Sequence, residues 1–391
     1  MKKNLLLVFA ALIAVACNSN STPIPSDSNA VANDSVVEKV DPLDTFTYTA
    51  YTTLADIMAG KEIKDSTYFR DIITSQAYAN HSKVMTDMWA RYKAQETDRV
   101  MEWSRQNLSD APTRVFYPFS GPDFNYLDAM FPECEFAALF ALEQAGRLPF
   151  SDEKSLSHPG ELFNVLRASI GANLSLSFFI TKRMQVDFYA SYVKGSLSVA
   201  MLFVASRGYE VIVVNPVDID SLGNIFYTEP EKLYAHTLDK DFSNGYEIVY
   251  RREGEKKYRR LYYFNRDLSN GNYDKLKLDN FVRVNFAGQA CMTKAASYHL
   301  HAANFSNVRT SMLTHCDLIV NAPSGIPYTS FEQDKWNIKY YGSFRGPIPL
   351  FHAHPDTELK DAYAKNGPEA INFKYDYDTH NSSFIVARRK K

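Results

Sequence analysis

Short apolar runs alternate with helical stretches through the last two-thirds of this chain, and this alternation limits its fold more than any other feature. Arg114–Phe119 and Phe136–Glu143 are strand-like, and a short helix is expected between them, from Phe124 to Met130. The apolar, β-branched run Val211–Val214 is typical of a central strand in a parallel sheet. Such alternation predicts an α/β domain, which we assign to residues 113–391.

Other segments complete the expected architecture. Residues 46–112 carry apolar side chains mainly three and four positions apart, which predicts a helical N-terminal subdomain. Tyr246–Phe264 indicates a long exposed hairpin, and Met292–Thr314 indicates a helix. Ile371–Tyr377 and Ser383–Arg388 predict a C-terminal antiparallel hairpin that closes a Rossmann-like, mostly parallel sheet.

The N-terminus has the composition of an export signal. Two lysines precede an apolar run, Leu5 to Val15, which is too short to span a bilayer as a helix. The next residues lead to Cys17, and the four residues that end there, Ala-Val-Ala-Cys, resemble a bacterial lipobox. This resemblance implies that residues 1–16 are a lipoprotein signal peptide and that Cys17 is acylated. An ordinary secretory peptide cut near Ala16 is the alternative.

The segment after this cysteine predicts how the domain is attached. Residues 17–45 are rich in Ser, Asn, Asp and Pro, which predicts a disordered tether. The first acidic residue after Cys17 is Asp27, and this spacing favours a position facing the periplasm over export to the cell surface. Each buried CH₂ of an acyl chain contributes about 0.8 kcal/mol, so several chains hold a protein firmly on a membrane. The lipid bilayer is therefore an expected partner.

Charge and cysteine content exclude other classes of protein. The chain has 43 Lys and Arg residues against 45 Asp and Glu residues, without the clustered basic surface that nucleic acid requires. We therefore expect no nucleic-acid partner. Cys134, Cys291 and Cys316 are expected to be small buried hydrophobes. The helix predicted between Cys291 and Cys316 would hold them roughly 37 Å apart, too far for a disulfide.

Polar residues follow several predicted strands. Ser120, Gly121 and Asp123 turn the chain after the first strand, Glu143 ends the second, and Ser324 lies in the similar proline-flanked turn NAPSGIPY. Because the carboxyl ends of neighbouring strands open on one crevice, these residues predict a ligand-binding site. Alternatively, Asp123 caps a helix and each loop is a buried turn.

Charged side chains on the predicted helix add to this site. Lys294 and His301 share a helical stripe with Tyr298. If that stripe packs on the sheet, they are site residues; if it faces water, they are solvated surface residues without a functional role. Asp267 and Arg309 complete the expected polar crevice. No metal site is predicted from the two H-x-H pairs of the sequence, because neither pair lies on a regular strand.

The order of strand, glycine turn, helix and strand resembles the first half of a class I methyltransferase. Glu143 follows Gly121 by 22 residues, near the spacing at which an acid meets a ribose hydroxyl. Pro122 removes an N–H from the loop, and we expect no bound cofactor. The phrases FYPFSGPDF, YYFNRDLSN, KAASYHLH and SGIPY also resemble a group of uncharacterised bacterial envelope lipoproteins, which implies a location without an activity.

Three functions fit these observations. The first is a lipid-anchored binding or accessory protein for a small polar or envelope-derived ligand, with Lys294 and Arg309 meeting its anionic groups. The second is an enzyme, methyltransferase-like or hydrolytic, in which Asp123 or His301 is a general base and Lys294 stabilises negative charge. The third is a structural partner of envelope proteins that uses aromatic side chains as anchors.

We predict that the Cys17→Ser variant loses acylation, because the thiol is the group that carries the lipid. Cells fed an alkyne-tagged fatty acid should yield labelled wild-type protein and unlabelled variant. A Cys134→Ser variant, which keeps the lipobox intact, is the matched control and should be labelled like the wild type. Equal labelling of all three chains would contradict the lipoprotein assignment.

Overall fold

In the computed structural model of the protein, the described residues are 50–63, 67, 69–151, 156–176, 193, 195–233, 243–378 and 380–391. The predicted signal peptide, the tether and Cys17 lie outside the described residues. None of the helices in the described part of the chain combines the length and the apolar content that crossing a bilayer requires.

The described residues form one ten-stranded mixed sheet with helices on both faces. The strands are β1 (Arg114–Pro118), β2 (Phe136–Ala141), β3 (Tyr209–Ile219), β4 (Ile225–Tyr227), β5 (Gly245–Arg252), β6 (Arg259–Asn265), β7 (Ala290–Thr293), β8 (Leu318–Asn321), β9 (Trp336–Gly342) and β10 (Ser383–Arg389). The α-helices are α1 (Ala50–Ala59), α2 (Arg70–Ile73), α3 (Gln76–Tyr92), α4 (Asp98–Asn107), α5 (Phe124–Met130), α6 (Pro159–Leu176), α7 (Leu197–Ser206), α8 (Asn270–Lys275), α9 (Leu278–Phe286), α10 (Ser306–His315) and α11 (Thr357–Asn366). A π-helical turn, Lys93–Thr97, joins α3 to α4.

Five parallel strands form the centre of the sheet. The strand order is β4-β3-β5-β6-β2-β1-β7-β8-β10-β9, and the pairs from β6 to β8 are all parallel. Strands β3, β4 and β5 extend one edge in antiparallel pairs. At the other edge β10 runs antiparallel to both β8 and β9. The predicted α/β class is confirmed, but the sheet is mixed and not mostly parallel as predicted, because its parallel pairs are confined to the centre.

The central strands are apolar on both faces because both faces are covered. Val115 and Tyr117 of β1 belong to one hydrophobic cluster, which includes side chains of α1, α3, α4 and α7, whereas Phe116 belongs to a second cluster with side chains of α9 and α10. Successive strand residues point to opposite faces, so a strand buried on both sides needs a continuous apolar run. The helices predicted before residue 112 therefore pack into the same core as the sheet.

Val211–Val214 form a strand, as predicted, but the predicted position at the centre of a parallel sheet is wrong. These residues lie in β3, which pairs only with antiparallel neighbours, β4 and β5, towards one edge of the sheet. Val211 and Val214 are buried in the first cluster. A continuous apolar run reports burial of a strand, but it carries no information on the direction of the neighbouring strands.

The predicted helix Met292–Thr314 is also wrong. Met292 and Thr293 end β7, and the chain then forms two short 3-10 turns before α10 begins at Ser306. Ser297 and Tyr298 have φ values of 51° and 57°, which a right-handed helix cannot contain. Lys294 therefore follows a strand directly and does not lie on a helical stripe.

The two predicted hairpins have different outcomes. Tyr246–Phe264 forms the antiparallel pair β5–β6 as predicted, but β6 also pairs with β2, so this hairpin is interior and not exposed. Ile371–Tyr377 contains no strand, and the predicted C-terminal hairpin with Ser383–Arg388 is wrong. The antiparallel partner is β9, which reaches β10 through α11 and an irregular segment.

The cysteines are buried, as predicted, but their spacing differs from the prediction. All three are free thiols in the interior. Cys291 lies in β7 and its Sγ donates to Met312 Sδ at 3.2 Å, while Cys316 stands just before the neighbouring strand β8. The predicted separation of about 37 Å fails because no continuous helix joins these two residues.

We predict that a Cys17→Ser chain shows no thiol reactivity while folded and three reactive thiols once it is unfolded. Burial of each sulfur blocks access of a reagent and favours the neutral, unreactive thiol. Maleimide labelling followed by intact-mass measurement, with and without guanidinium and without reductant, checks both numbers. Labelling of the folded chain, or fewer than three labels after unfolding, would show that the packing of these residues is different.

Candidate functional site

The centre of the sheet contains a point where the chain changes direction. Strand β1 lies between β2 and β7, and the connection after β1 crosses to β2 while the connection after β7 crosses to β8 on the other side. The loops that follow two such strands run in opposite directions, and a crevice opens between them at the carboxyl ends of the strands. Asp123 lies in the loop after β1, and Lys294 is the first residue after β7.

A buried ion pair joins these two loops. Lys294 Nζ lies 3.2 Å from Asp123 Oδ2, and the side chains are 0% and 4% exposed. The hydroxyl of Tyr117 donates to the same Oδ2 at 3.0 Å. The ammonium group also lies 3.9 Å from the centre of the Tyr126 ring, at a distance typical of a cation–π contact. The pair is therefore shielded from water by aromatic side chains.

Burial changes the acidity of both partners. Burial lowers the pKa of Lys294, and the negative charge of Asp123 opposes this change. Burial raises the pKa of Asp123, and the charge of Lys294 and the hydrogen bond from Tyr117 oppose it. These opposite directions bring the two pKa values closer together, so transfer of a proton between the partners costs less free energy than in water.

A second polar pair lies at the ends of the neighbouring loops. Ser324 donates its hydroxyl to Asp376 Oδ1 at 2.6 Å and its backbone N–H to Oδ2 at 3.1 Å. The Ser324 oxygen accepts the backbone N–H of Ala296 at 3.2 Å, which ties the loop after β8 to the loop after β7. Burial raises the pKa of Asp376 to about 6, and the charge of Lys294 opposes this rise. Asp376 was not among the residues that the sequence predicted.

The turn at Ser324 needs a glycine in the next position. A Cβ atom on Gly325 would collide with Thr293 Oγ1 and Asn321 Oδ1. These two side chains are themselves hydrogen-bonded at 2.7 Å across β7 and β8. The Ser-Gly sequence therefore lets the loop approach the strand ends closely enough for Ser324 to reach Asp376.

One small cavity borders this second pair. Its volume is about 20 Å³, and it is lined by Asp376 together with Tyr298, Pro323, Phe351 and Tyr375. A water molecule needs roughly 10–15 Å³ of such space and a few polar partners, so the cavity has room for one water. Asp123 and Lys294 do not line it. The carboxyl edge is thus closely packed around its polar side chains.

The first predicted loop is a buried turn whose aspartate does not cap α5. Ser120 donates to the carbonyl oxygen of Gly121 at 2.8 Å, and Gly121 adopts a φ of 59°. Asp123 stands at the N-cap position, but its carboxylate makes no capping hydrogen bond. Tyr117 and Lys294 bind that carboxylate instead, while the nearby backbone N–H of Tyr126 in the first turn of α5 favours its charged form.

Two predicted acids follow other strands of the sheet. Glu143 is buried just after β2, and its backbone carbonyl accepts the Tyr263 hydroxyl at 2.7 Å. Asp267 is exposed after β6, where it accepts the backbone N–H of Ser269 and the side-chain amide of Asn272. The prediction that Asp267 shares an enclosed crevice with Lys294 is therefore wrong, because its carboxylate is used in a surface turn.

The predicted site residues His301 and Arg309 lie at the rim. His301 Nε2 lies 3.2 Å from the carbonyl oxygen of Pro323, and its ring packs on Tyr298 and His354. Burial, together with the nearby positive charge of Arg309, lowers the pKa of His301 to about 4. Arg309 donates to the carbonyl oxygen of Leu300 and so supports this turn. Among the described residues, no three His, Cys, Asp or Glu side chains are placed to hold a metal ion.

We predict that Asp376 makes folding less favourable as pH rises from about 4 to 6. Its pKa is raised to about 6 in the folded state from an ordinary 3.8, so its stabilising contribution is full below pH 3.8 and is lost through pH 6. The Asp376→Asn variant does not titrate there. Between pH 4 and pH 7, the free energy of unfolding of the variant should therefore rise by about 3 kcal/mol relative to that of the wild type.

Urea unfolding of both chains across this pH range gives the measurement, and Asp378→Asn is the matched control. Hydrogen bonds from the backbone N–H groups of Asn381 and His380 outweigh burial and lower the pKa of Asp378. The stabilising contribution of Asp378 is therefore lost as pH falls. The free energy of unfolding of Asp378→Asn should rise relative to that of the wild type in acid instead. The same pH dependence in both variants would contradict the raised pKa of Asp376.

No protein-family model, curated protein or solved structure matches the chain. The chemistry of the site follows from its own residues. These are a lysine–aspartate pair between β1 and β7, and a serine–aspartate pair beside β8.

Proposed function

We propose that the protein is a lipid-anchored envelope lipoprotein whose α/β domain binds a small polar ligand at the carboxyl edge of the sheet. The observation that carries this proposal is the buried Lys294–Asp123 pair between β1 and β7. Open α/β sheets bind ligands where the strand order reverses. A buried ion pair contributes little net stability compared with apolar side chains of similar volume, so packing alone does not account for these charges.

The strand order supports a Rossmann-like architecture for this domain. When the five parallel strands are numbered in chain order, they lie in the order 3-2-1-4-5, as in the doubly wound nucleotide-binding folds. The antiparallel β10 beside them is consistent with the resemblance to class I methyltransferases. The ligand that we propose is not a nucleotide, because the first loop has one glycine and Pro122 lacks an N–H.

The contacts of the two pairs suggest how a ligand is held. Asp123 and the Tyr126 ring position the ammonium group of Lys294, and Ser324 positions the carboxylate of Asp376. The small cavity beside Asp376 gives one polar group of a ligand a place next to this carboxylate.

One observation favours an enzyme as a second candidate. The Ser324 hydroxyl donates to Asp376 at 2.6 Å, and the raised pKa of this acid, about 6, makes it a base that operates near neutral pH. A hydroxyl hydrogen-bonded to such a base is the arrangement of an activated nucleophile. In this second function the Ser324 oxygen attacks the carbonyl carbon of an ester, Asp376 accepts the hydroxyl proton and returns it to the alcohol that leaves, and Lys294 stabilises the negative charge on the carbonyl oxygen. Water then hydrolyses the acyl group from Ser324.

We predict that removing both charges of the central pair abolishes ligand binding but leaves most of the stability of the fold. Lys294→Met alone leaves Asp123 buried without its cation and should lower the free energy of unfolding by about 3–5 kcal/mol. The double variant Lys294→Met with Asp123→Asn removes both charges and should recover most of that loss, because no uncompensated charge remains. Urea unfolding measures both changes.

Ligand retention is measured on the same proteins by native mass spectrometry after extraction from their own membranes. The wild type should retain a small molecule, and both variants should lose it. The matched control is Arg251→Met with Glu210→Gln, which removes a largely buried pair between β5 and β3, away from the proposed site, and should keep the ligand. Retention in the Lys294 and Asp123 double variant, or its absence from the wild type, would refute the binding function.

A further inference from the structure

A larger cavity lies where the N-terminal helices meet the C-terminal segment. Its volume is about 400 Å³, within the range of about 300–1,000 Å³ that is usual for sites of small ligands. It opens to solvent beside the end of β9 and the start of β10. The side chains that matter for its chemistry are Glu96, Arg99, Ser343, Phe373, Lys374 and His380.

One wall contains the π-helical turn Lys93–Thr97. This turn interrupts the long helix formed by α3 and α4 and places Glu96 in the interior, where its side chain is 8% exposed. The carboxylate of Glu96 accepts the backbone N–H of Lys374 at 2.8 Å and lies 3.9 Å from Lys374 Nζ. Lys374 therefore balances the charge of Glu96. Single π turns in helices occur frequently at functional sites.

The opposite wall is held by close contact between two strands. Gly342 ends β9 with a φ of 81°, and a Cβ atom there would overlap the carbonyl oxygen of Ser382. The backbone N–H of Ser343 donates to the same carbonyl at 3.1 Å, and the N–H of Gly342 donates to Glu369 at 2.7 Å. These contacts give the cavity a fixed backbone frame on this side.

The side chains that line the cavity carry a net positive charge. Glu96 is the only acid among the described residues that line it, and Lys374 balances this acid. Arg99 is exposed and donates Nη1 to the carbonyl oxygen of Asn372 at 2.8 Å, which positions the guanidinium at the cavity. A guanidinium has five donors in a planar fork, and such a fork binds carboxylate or phosphate groups through two hydrogen bonds. His380 adds a further donor beside it.

We propose that this cavity is a second binding site, which takes a small molecule through a carboxylate or phosphate group bound to Arg99. The Ser343 hydroxyl and the His380 ring belong to the same lining and provide further donors, while Lys374 balances the charge of Glu96. The ring of Phe373 covers the less polar part of the ligand. This site is separate from the Lys294–Asp123 pair and does not depend on the function proposed for that pair.

The test is a calorimetric titration of the full chain in detergent with two probes, inorganic phosphate and citrate, at constant ionic strength. At least one probe should bind saturably to the wild type. Arg99→Gln keeps a polar side chain but loses the charge and the fork, and it should weaken that binding about tenfold or more. Comparison of the two probes shows whether phosphate or carboxylate is the preferred group.

The matched control is Arg105→Gln, which removes an exposed arginine from the same helix. Arg105 pairs with Glu102 at 2.9 Å and does not line the cavity, so its loss should leave the affinity unchanged. Circular dichroism verifies that both variants are folded. Equal affinities in the two variants, or the absence of saturable binding for both probes, would overturn the proposal. Binding that survives in the Lys294 and Asp123 double variant would show that the two sites are independent.

Discussion

The parallel pairing of β1 with β2 on one side and β7 on the other determines where Asp123 and Lys294 lie at the carboxyl edge. Val115 is in register with both Ala137 and Ala290, so the three strands end at similar heights. The loop after β1 then reaches across β7, where Lys294, the residue that follows Thr293, contacts it. The ion pair between Asp123 and Lys294 is a direct consequence of this register.

Two buried carboxylates also hold the short helix between β1 and β2. Asp123, at the start of α5, binds Lys294 and Tyr117, while Asp128, later in α5, binds Arg207 at 2.6 Å and Tyr209 at 2.7 Å. A helix of seven residues has little intrinsic stability, and this one lacks a capping hydrogen bond at its first turn. Its position therefore depends on charges supplied by β7 and by the segment between α7 and β3.

The sequence allowed prediction of the elements that are set by local pattern, and its failures have physical reasons. The order β1, α5, β2 and the pairing of β5 with β6 follow from apolar periodicity. The 292–314 helix failed because Ser297 and Tyr298 adopt left-handed φ values that their residue types do not announce. Ser324 was predicted because it follows a strand, whereas Lys294 was predicted from a helical stripe that does not exist and lies at the site because it follows β7. Asp376 was missed because it lies in an irregular segment that only tertiary packing brings to Ser324.

The two candidate sites differ in how their charges are balanced, and this difference determines which ligands each one favours. At the centre of the sheet, Lys294 is paired with Asp123 inside the protein, so a charged ligand must displace a charge-assisted hydrogen bond before it gains one. That cost favours polar molecules without strong net charge. In the larger cavity the acid is already balanced by Lys374, and Arg99 lies at the surface with donors to spare. An anion approaching it gains a new ion pair without breaking one, which favours molecules that carry a carboxylate or a phosphate.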